Sequence, residues 1–354
     1  MVSNDQYIIG SDDLILVTGA TGFIGSRLVE TLLELGFRNL RCFARPSKKQ
    51  EMLADVVKAH RSAFIEVLKG NLLSREDCAH AAKDARVIFH LAAGTGQKSF
   101  ADAFMNSVVT TRNLLESANR GQSLKRFVNV SSIAVYSNMG NPRRTRLDET
   151  CEIEEHPELR GEAYCFAKVK QEQFVAEYCN RFGIPHVVVR PGCVYGPGKS
   201  YLTDRVGIDT FGIFLHIGGS NRIPLTYVDN CAEAIALAGL RNGIDGEAFN
   251  IVDDDLPSSR QFLRLYKRNV GHFRSLYVPH FVSYLLCYLW ERYAAWSQEQ
   301  LPPTFNRKRW NAYWRKTDFS NDKLKMRVGW TPRVPKTEAF KRFFEACRSG
   351  VGHA

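Results

Sequence analysis

The 354-residue sequence lacks several features that define specialised protein classes. Its nine cysteines occur singly with no C-x-x-C pair, which argues against a disulfide framework or a zinc site and indicates reduced thiols. Glycine and proline are at ordinary levels and no fixed-period repeat occurs, which excludes collagen-like chains, solenoids and propellers. The 44% apolar and 24% charged residues therefore predict one large or two modest globular domains, with no bound metal.

A secretory signal and a membrane-length hydrophobic run are also missing. Residues 1–13 are polar and acidic, without a basic segment followed by an apolar one. The most apolar later stretch, 281–290 (FVSYLLCYLW), has ten residues, whereas a bilayer core needs about 20. We expect a cytoplasmic protein in which this stretch forms a buried amphipathic helix. The alternative is an interfacial helix that rests on an anionic membrane.

Positive charge is concentrated near the C-terminus. The chain has 48 Lys and Arg against 37 Asp and Glu, whereas residues 257–354 have 19 against 6. All five tryptophans lie in the same segment. This excess of charge indicates an anionic partner for that region. Because no nucleic-acid reader module is recognised, we do not expect nucleic acid to be that partner.

Short apolar runs alternate with helical patterns over the first 190 residues. This alternation predicts a Rossmann-type α/β fold, a doubly wound parallel sheet with helices on both faces. The predicted strands are 14–17, 40–44, 64–68, 87–91, 127–130 and 187–189, and the predicted helices include 23–35, 106–119 and 162–182. A further strand near 247–252 is expected to return to this sheet.

A glycine-rich turn lies between the first strand and the first helix. Gly19 permits a tight turn, Gly22 lets the backbone approach a pyrophosphate, and Gly25 permits close helix–strand packing. The helix N-terminus supplies N–H donors and positive potential for the phosphates. We therefore expect residues 1–190 to form an NAD(P)-binding domain and residues 191–354 a smaller, mostly helical substrate-binding region.

The end of the second strand bears on the choice of nucleotide. NAD-binding chains place a carboxylate there for the ribose 2′-hydroxyl, but here Arg45 follows the strand and the first acid is Glu51. Arg45, assisted by Ser47 or Lys48, can pair with a 2′-phosphate. The sequence thus favours NADP over NAD, unless Arg45 is a solvated loop cation.

A serine, a tyrosine and a lysine form a candidate proton relay. Ser132 follows a strand, at the sheet edge where α/β proteins bind ligands. Tyr164 and Lys168 have the i, i+4 spacing that shares one helix face. Because a nearby cation lowers the pKa of a phenol, this pair suits proton exchange with a C–OH or C=O group while a nicotinamide carries the hydride.

Together these motifs resemble the extended short-chain dehydrogenase/reductase (SDR) superfamily, in particular its NAD-dependent epimerase/dehydratase and 3β-hydroxysteroid dehydrogenase-like group. The resemblance covers nearly the whole chain. The matching segments are TGATGFIG (18–25), HLAA (90–93), the helix beginning at Asn106, the serines and tyrosine of 131–136, YCFAK (164–168), RPGCVYGPG (190–198) and PLTYVDNCAEA (224–234).

The resemblance implies an enzyme and a set of site residues. Ser132, Tyr164 and Lys168 would be catalytic, and homodimerisation would use the helices that contain Asn106 and Tyr164. Asn71 stands where the family usually has an Asp beside the adenine, and its amide can still hydrogen-bond the base. The implied cofactor-binding residues are Gly19, Thr21, Gly22, Phe23, Ile24, Gly25, Arg45, Asn71, Leu72, Leu91, Ala92, Ala93, Asn106, Tyr164, Lys168 and Pro191.

Three functions remain open. Cys193 replaces the Asn that contacts the sugar diphosphate in nucleotide-sugar members, which together with Arg45 favours a dehydrogenase or reductase acting on a lipophilic or ring-containing alcohol or ketone. This enzyme would contact a membrane through 281–290 and the basic C-terminal third.

The basic, Trp-rich C-terminal region favours instead a nucleotide-sugar epimerase or dehydratase with tightly bound NAD. A dehydratase would need a further acid–base pair, for which Glu149 and Glu162 are the nearby candidates. A non-catalytic nucleotide-binding redox sensor is the third.

Overall fold

The computed structural model describes residues 6–46, 51–94, 99–121, 123–138, 145–199, 202–210, 212–297, 300 and 305–349. The strands are β1 Ile15–Thr18, β2 Asn39–Ala44, β3 Phe64–Lys69, β4 Val87–His90, β5 Arg126–Val130, β6 Arg146–Leu147, β7 His186–Pro191, β8 Cys193–Tyr195, β9 Gly207–Thr210, β10 Ile213–His216, β11 Leu225–Tyr227, β12 Ala248–Ile251, β13 Ser275–Tyr277 and β14 Asp318–Phe319. The helices are α1 Phe23–Glu34, α2 Glu51–Ala59, α3 Arg75–Ala82, α4 Phe100–Phe104, α5 Thr110–Arg120, α6 Ala163–Phe182, α7 Val228–Leu240, α8 Ser259–Asn269, α9 His280–Trp296, α10 Arg307–Trp314, α11 Asp322–Val328 and α12 Lys336–Arg348.

Seven parallel strands form the central sheet, in the order β12-β7-β5-β4-β1-β2-β3. The predicted Rossmann-type α/β fold is confirmed, and the six predicted strands are present with ends shifted by no more than two residues. At one edge of the sheet, β12 pairs in parallel with β7, where a strand near 247–252 was expected.

Alternate residues of the sheet supply two separate cores. Val17 and Phe89 face α1 and α7, whereas Leu16, Ile88 and Phe127 face α3, α5 and α6. All five are buried, because a parallel sheet covered on both faces needs apolar side chains at successive positions. The helices cover the two faces of the sheet. The site described below lies at the carboxyl ends of its strands.

The helix predicted over 106–119 is longer and less regular than expected. Five residues of α4 are followed by a π-helical turn, Met105–Val109, which continues directly into α5. Turns of this kind are frequent at functional sites, because they re-aim side chains along a helix. Here the turn packs against α6, the helix that carries Tyr164 and Lys168.

The prediction of a buried helix over 281–290 is wrong. Its helix, α9, spans His280–Trp296, and Phe281 and Trp296 are 76% and 77% exposed. The residues that α9 buries are the small Ser283, Cys287 and Ala294. Apolar side chains occur on both sides of this helix, so that one stripe packs against α10 and the opposite one faces outward. Within the described part of the chain, no helix is long and apolar enough to cross a membrane.

Candidate active site

A cleft of about 900 Å³ opens at the carboxyl ends of the central strands. It is the location expected for a ligand site in an open α/β sheet. Eleven residues that the sequence analysis identified line it: Gly19, Gly22, Phe23, Ile24, Gly25, Leu91, Ala93, Ser132, Tyr164, Lys168 and Pro191.

The glycine turn forms one wall of the cleft. Gly19 has a φ of +70°, and a Cβ there would lie 3.0 Å from the backbone nitrogen of Ala92. A Cβ on Gly25 would lie 2.1 Å from the carbonyl oxygen of Gly19. The N-cap of α1 is Gly22, so no capping side chain covers the N–H groups at this end of the helix. The first turn of α1 also contains no acidic residue. The unpaired N–H groups and positive dipole end of α1 therefore lie at the cleft and fit the pyrophosphate of a dinucleotide.

Six of the expected cofactor residues do not line this cleft: Thr21, Arg45, Asn71, Leu72, Ala92 and Asn106. Arg45 is exposed at the end of β2, and Ser47 and Lys48 lie outside the described residues. The Asn71 Oδ1 accepts a hydrogen bond from the Leu73 N–H at 3.0 Å. The Asn106 amide donates to the Asp102 carbonyl at 2.9 Å, within its own helix. Their assignment to the cofactor therefore stays a prediction.

The two serines after β5 have different environments. Ser132 caps a short 3₁₀ turn, and its Oγ accepts a hydrogen bond from the Ala134 N–H at 3.2 Å. The Ser131 hydroxyl donates instead to Glu172 Oε2 at 2.7 Å. Glu172 is itself ion-paired with Arg190 in the interior. Ser131 thus belongs to a buried structural network, and Ser132 is the serine suited to meet a ligand.

Tyr164 and Lys168 lie in the first two turns of α6 and both line the cleft. Lys168 is buried, and its Nζ donates to the Val130 carbonyl at 2.7 Å and to Gln171 Oε1 at 3.0 Å. Burial lowers the pKa of Lys168 to about 8, although Glu172 opposes the shift. A lysine in this range is partly neutral near pH 8, so it can return as well as hold a proton.

Apart from Glu162, a further group of residues that line the cleft received no role in the sequence analysis. Arg309 and Tyr313 of α10 line the cleft, with Glu162, Asp204 and Arg205. Arg309 Nε lies 3.3 Å from Glu162 Oε1, and Arg309 Nη2 lies 3.8 Å from Asp204 Oδ2. The Arg205 guanidinium lies over the Tyr313 ring, 5.0 Å from its centre. These arginines are therefore already engaged by pocket acids and an aromatic ring.

The pattern RKRWNAYW of α10 contained the signal for this wall. Arg309 and Tyr313 have the i, i+4 spacing of one helix face, and Trp310 and Trp314 have the same spacing on another. The two tryptophans are buried, and the Trp310 indole donates to Ser283 Oγ at 2.9 Å. A basic, aromatic helix with two such faces separates the cleft from α9.

Cys193 and the two candidate dehydratase acids complete the site. Cys193 lines the cleft, with its Sγ 3.3 Å from Thr203 Oγ1. Glu162 lines it too, whereas Glu149 accepts a hydrogen bond from the Asn250 N–H at 2.7 Å and is not among the lining residues. No cluster of three or more potential metal ligands occurs among the residues that the structure describes.

Comparison with known proteins shows which family and which relatives this chain resembles. The model of the NAD dependent epimerase/dehydratase family matches residues 15–252. An uncharacterized UDP-glucose epimerase, YtcB, of Bacillus subtilis is 31% identical over 67% of this chain and 76% of its own length. A 3 beta-hydroxysteroid dehydrogenase/Delta 5→4-isomerase of Mycobacterium tuberculosis is 30% identical over 66% of this chain and 62% of its own.

The fold is shared with solved structures over nearly the whole chain. A UDP-glucuronic acid 4-epimerase from Bacillus cereus, in complex with NAD, superposes with a TM-score of 0.71 at 20% identity. The match covers 96% of this chain and 99% of the other.

Proposed function

The chain belongs to the NAD dependent epimerase/dehydratase family of the extended SDR superfamily, and from that premise we propose that it interconverts a secondary alcohol and a ketone as an NAD(P)-dependent oxidoreductase. The observation that carries this proposal is a single cleft lined by the start of α1, Ser132, Tyr164 and Lys168. Residues 1–190 would hold the dinucleotide, and residues 191–354 would supply most of the substrate contacts.

In this proposal, each of the three polar residues has a defined role. Tyr164 donates a proton to the substrate oxygen in reduction and accepts it in oxidation. Lys168 stabilises the phenolate and contacts the ribose, and Ser132 hydrogen-bonds the same substrate oxygen. A bound nicotinamide supplies or accepts the hydride. The glycine turn and the acid-free first turn of α1 would hold the pyrophosphate.

The substrate end of the cleft favours a lipophilic or ring-containing molecule. A diphosphate would have to compete with Glu162 and Asp204 for Arg309, and with an aromatic ring for Arg205. The Cys193 thiol is a poor phosphate partner. Apolar and aromatic side chains of the cleft, such as Phe262 and Tyr313, can contact a hydrocarbon ring instead.

A nucleotide-sugar epimerase or dehydratase is the second candidate. The similarity to the YtcB protein of Bacillus subtilis favours it, and Arg309 with Tyr313 would then bind the nucleotide after the pocket ion pairs rearrange. The dehydratase form has less support, because Glu149 is bonded away from the cleft and Glu162 is ion-paired with Arg160 and Arg309. A redox sensor without turnover has least support, because it needs no proton relay.

Replacing Tyr164 by Phe tests the catalytic assignment. We expect turnover to fall by at least about 10²-fold, because the proton donor is lost, while nucleotide binding persists. Tyr178→Phe, on the same helix and outside the cleft, is the control. Unchanged turnover, or an unchanged cellular function, in Tyr164→Phe would rule out both enzymatic candidates as formulated.

We also propose a preference for NADP over NAD, on the basis of Arg45. The nucleotide released by denaturing the purified protein should be substoichiometric, and empty protein should bind NADPH more tightly than NADH. Arg45→Ala should remove that preference, whereas Arg61→Ala, at another exposed position, should keep it. Near-stoichiometric release of NAD would instead support the epimerase candidate.

We further propose that the exposed side of α9 rests on an anionic membrane surface. Phe281, Leu285, Leu289 and Trp296 form this side, which we term the α9 apolar face. Arg292 is the charged residue of α9 on the same side, and residues 257–354 carry a large excess of cations. Bulky apolar side chains among cations suit the boundary between acyl chains and anionic headgroups. A lipophilic substrate would then be taken up close to the membrane.

Homodimerisation through the helices that contain Asn106 and Tyr164 completes the proposal. Phe100, Phe104 and Met105 are partly exposed there, and the Phe100 ring lies 5.3 Å from that of Phe166 on α6. A second copy would bury these side chains. Sedimentation equilibrium at micromolar concentration checks this expectation, and a monomer would contradict it.

A further inference from the structure

A chain of buried hydrogen bonds extends from Lys168 away from the cleft. Lys168 Nζ donates to Gln171 Oε1 at 3.0 Å, and Gln171 Nε2 donates to Thr111 Oγ1 at 2.8 Å. The His90 ring continues the chain on both sides. Its Nε2 lies 2.8 Å from Thr111 Oγ1, and its Nδ1 lies 2.8 Å from Thr18 Oγ1. Gln171, Thr111, His90 and Thr18 are fully buried. Four elements, α6, α5, β4 and β1, are thus linked behind the lysine.

The direction of these bonds follows from the donors and acceptors present. The Thr111 hydroxyl donates to the Ser107 carbonyl at 2.5 Å, so its oxygen accepts from both Gln171 and His90. His90 therefore carries its proton on Nε2, and its Nδ1 accepts from the Thr18 hydroxyl. With the amide nitrogen of Gln171 committed to Thr111, the amide oxygen must face Lys168.

Among the polar side chains around Lys168, Gln171 is the one that accepts a hydrogen bond from its ammonium group. Burial and the charge of Lys168 lower the pKa of His90 to about 3, so the imidazole is neutral and adds no charge. Glu172, one residue further along α6, favours the ammonium but is itself bonded to Arg190 and Ser131. Lys168 Nζ donates to the Val130 carbonyl and to Gln171 Oε1, and of these two acceptors only Gln171 Oε1 belongs to a side chain.

We propose that Gln171 is a positioning residue that holds the Lys168 ammonium beside Tyr164, and that it thereby sets the pH range in which the tyrosine exchanges its proton. Thr111 and His90 keep the Gln171 amide in the orientation that this task needs. The catalytic half of the proposal rests on the proposed function, whereas the half concerning Lys168 itself does not.

The cofactor-free protein provides the first measurement, an NMR titration of the Lys168 side chain with Lys168→Arg used for assignment. Gln171→Leu should lower the pKa of Lys168 by about one unit, because an acceptor for the charged form is lost. Gln171→Glu should raise it, because a carboxylate favours the ammonium. Gln173→Leu, an exposed position on the same helix, should leave it unchanged.

The pH dependence of turnover is the second measurement. The alkaline limb of the profile, where Lys168 loses its proton, should move to lower pH in Gln171→Leu and to higher pH in Gln171→Glu, by the shifts that NMR gives. A loss of stability alone would lower the rate without displacing the profile. If Gln171→Leu fails to fold, Gln171→Glu carries the test.

The outcomes separate this inference from the proposed function. An unchanged Lys168 pKa in a folded Gln171 variant overturns the positioning role, whatever Tyr164→Phe does. A shifted pKa with a stationary activity profile overturns the link to Tyr164. Full activity in Tyr164→Phe defeats the proposed function, while the NMR titration still decides whether Gln171 controls Lys168.

Discussion

At the scale of single residues, Gly25 leaves no room for a side chain. Because a Cβ there would lie 2.1 Å from the Gly19 carbonyl oxygen, Gly25→Ala must push α1 away from the turn. We expect a loss of about 1–3 kcal/mol of stability and a loss of nucleotide binding. Urea unfolding and a nucleotide titration measure the two effects.

Gly121→Ala is the matched control for that substitution. Gly121 has a φ of −78°, and the nearest atom to an added Cβ is 3.6 Å away. Its stability should change by less than about 0.5 kcal/mol. If Gly25→Ala and Gly121→Ala lowered the stability equally, the close packing of α1 against the glycine turn would not explain the loss in Gly25→Ala.

The sequence identified those site residues whose roles depend on local backbone geometry. Gly19, Gly22 and Gly25 follow a strand and open a helix, and Tyr164 and Lys168 share a helix face, so spacing alone brings them together. Arg309 and Tyr313 reach the same cleft only because a helix from the distant C-terminal region packs over it. The i, i+4 spacing of Arg309 and Tyr313 is visible in the sequence, but it does not indicate that their helix packs over this cleft. The catalytic and cofactor roles of these residues stay predictions.

At the scale of elements, α9 provides a test of membrane contact. Leu285→Glu and Leu289→Glu should each reduce binding to vesicles that contain anionic phospholipid, because a charge would have to enter the apolar boundary. Co-sedimentation with anionic and with neutral vesicles measures this binding. Met326→Glu, an even more exposed apolar position on α11, should have no effect.

Each other result of that experiment has a definite meaning. No binding to anionic vesicles by the unmodified protein contradicts the membrane proposal. If the Leu variants change the oligomeric state instead, the α9 apolar face contacts a second copy of the chain. High salt should weaken the interaction, since part of it is electrostatic.

The wrong expectation for α9 has a physical origin. A ten-residue apolar stretch satisfies the pattern of a core helix equally well whether one side or both sides are covered. Coverage depends on α10, whose buried Trp310 donates to Ser283 on one side of α9, whereas Phe281 and Leu285 on the other side stay exposed. The π turn within 105–109 was missed for a related reason, since its side chains still repeat with nearly helical spacing.

At the scale of the whole molecule, buried His90 predicts sensitivity to acid. Burial lowers its pKa from 6.5 to about 3, so between these values the unfolded chain binds a proton that the folded chain refuses. Stability therefore falls as pH decreases through this window, by about 2 kcal/mol at pH 5 from this residue. Above pH 6.5 both states are neutral and His90 contributes no pH dependence.

Urea unfolding at pH 7 and pH 5 checks this prediction. His90→Asn should lose less stability on acidification than the unmodified protein, although it starts lower because the bonds to Thr18 and Thr111 change. Equal acid sensitivity of the two proteins would show that other groups dominate the transition.

The pairing of β12 with β7 also bears on how the chain reaches its native state during synthesis. When the ribosome has made the first 190 residues, β7 has β5 on one side and an unpaired edge on the other. That edge is covered only after β11 and α7 have emerged and β12 has followed. Until then the nascent chain presents an open apolar strand, the form most prone to associate with another chain. Release of an incomplete chain before Ile251 would leave this edge permanently open.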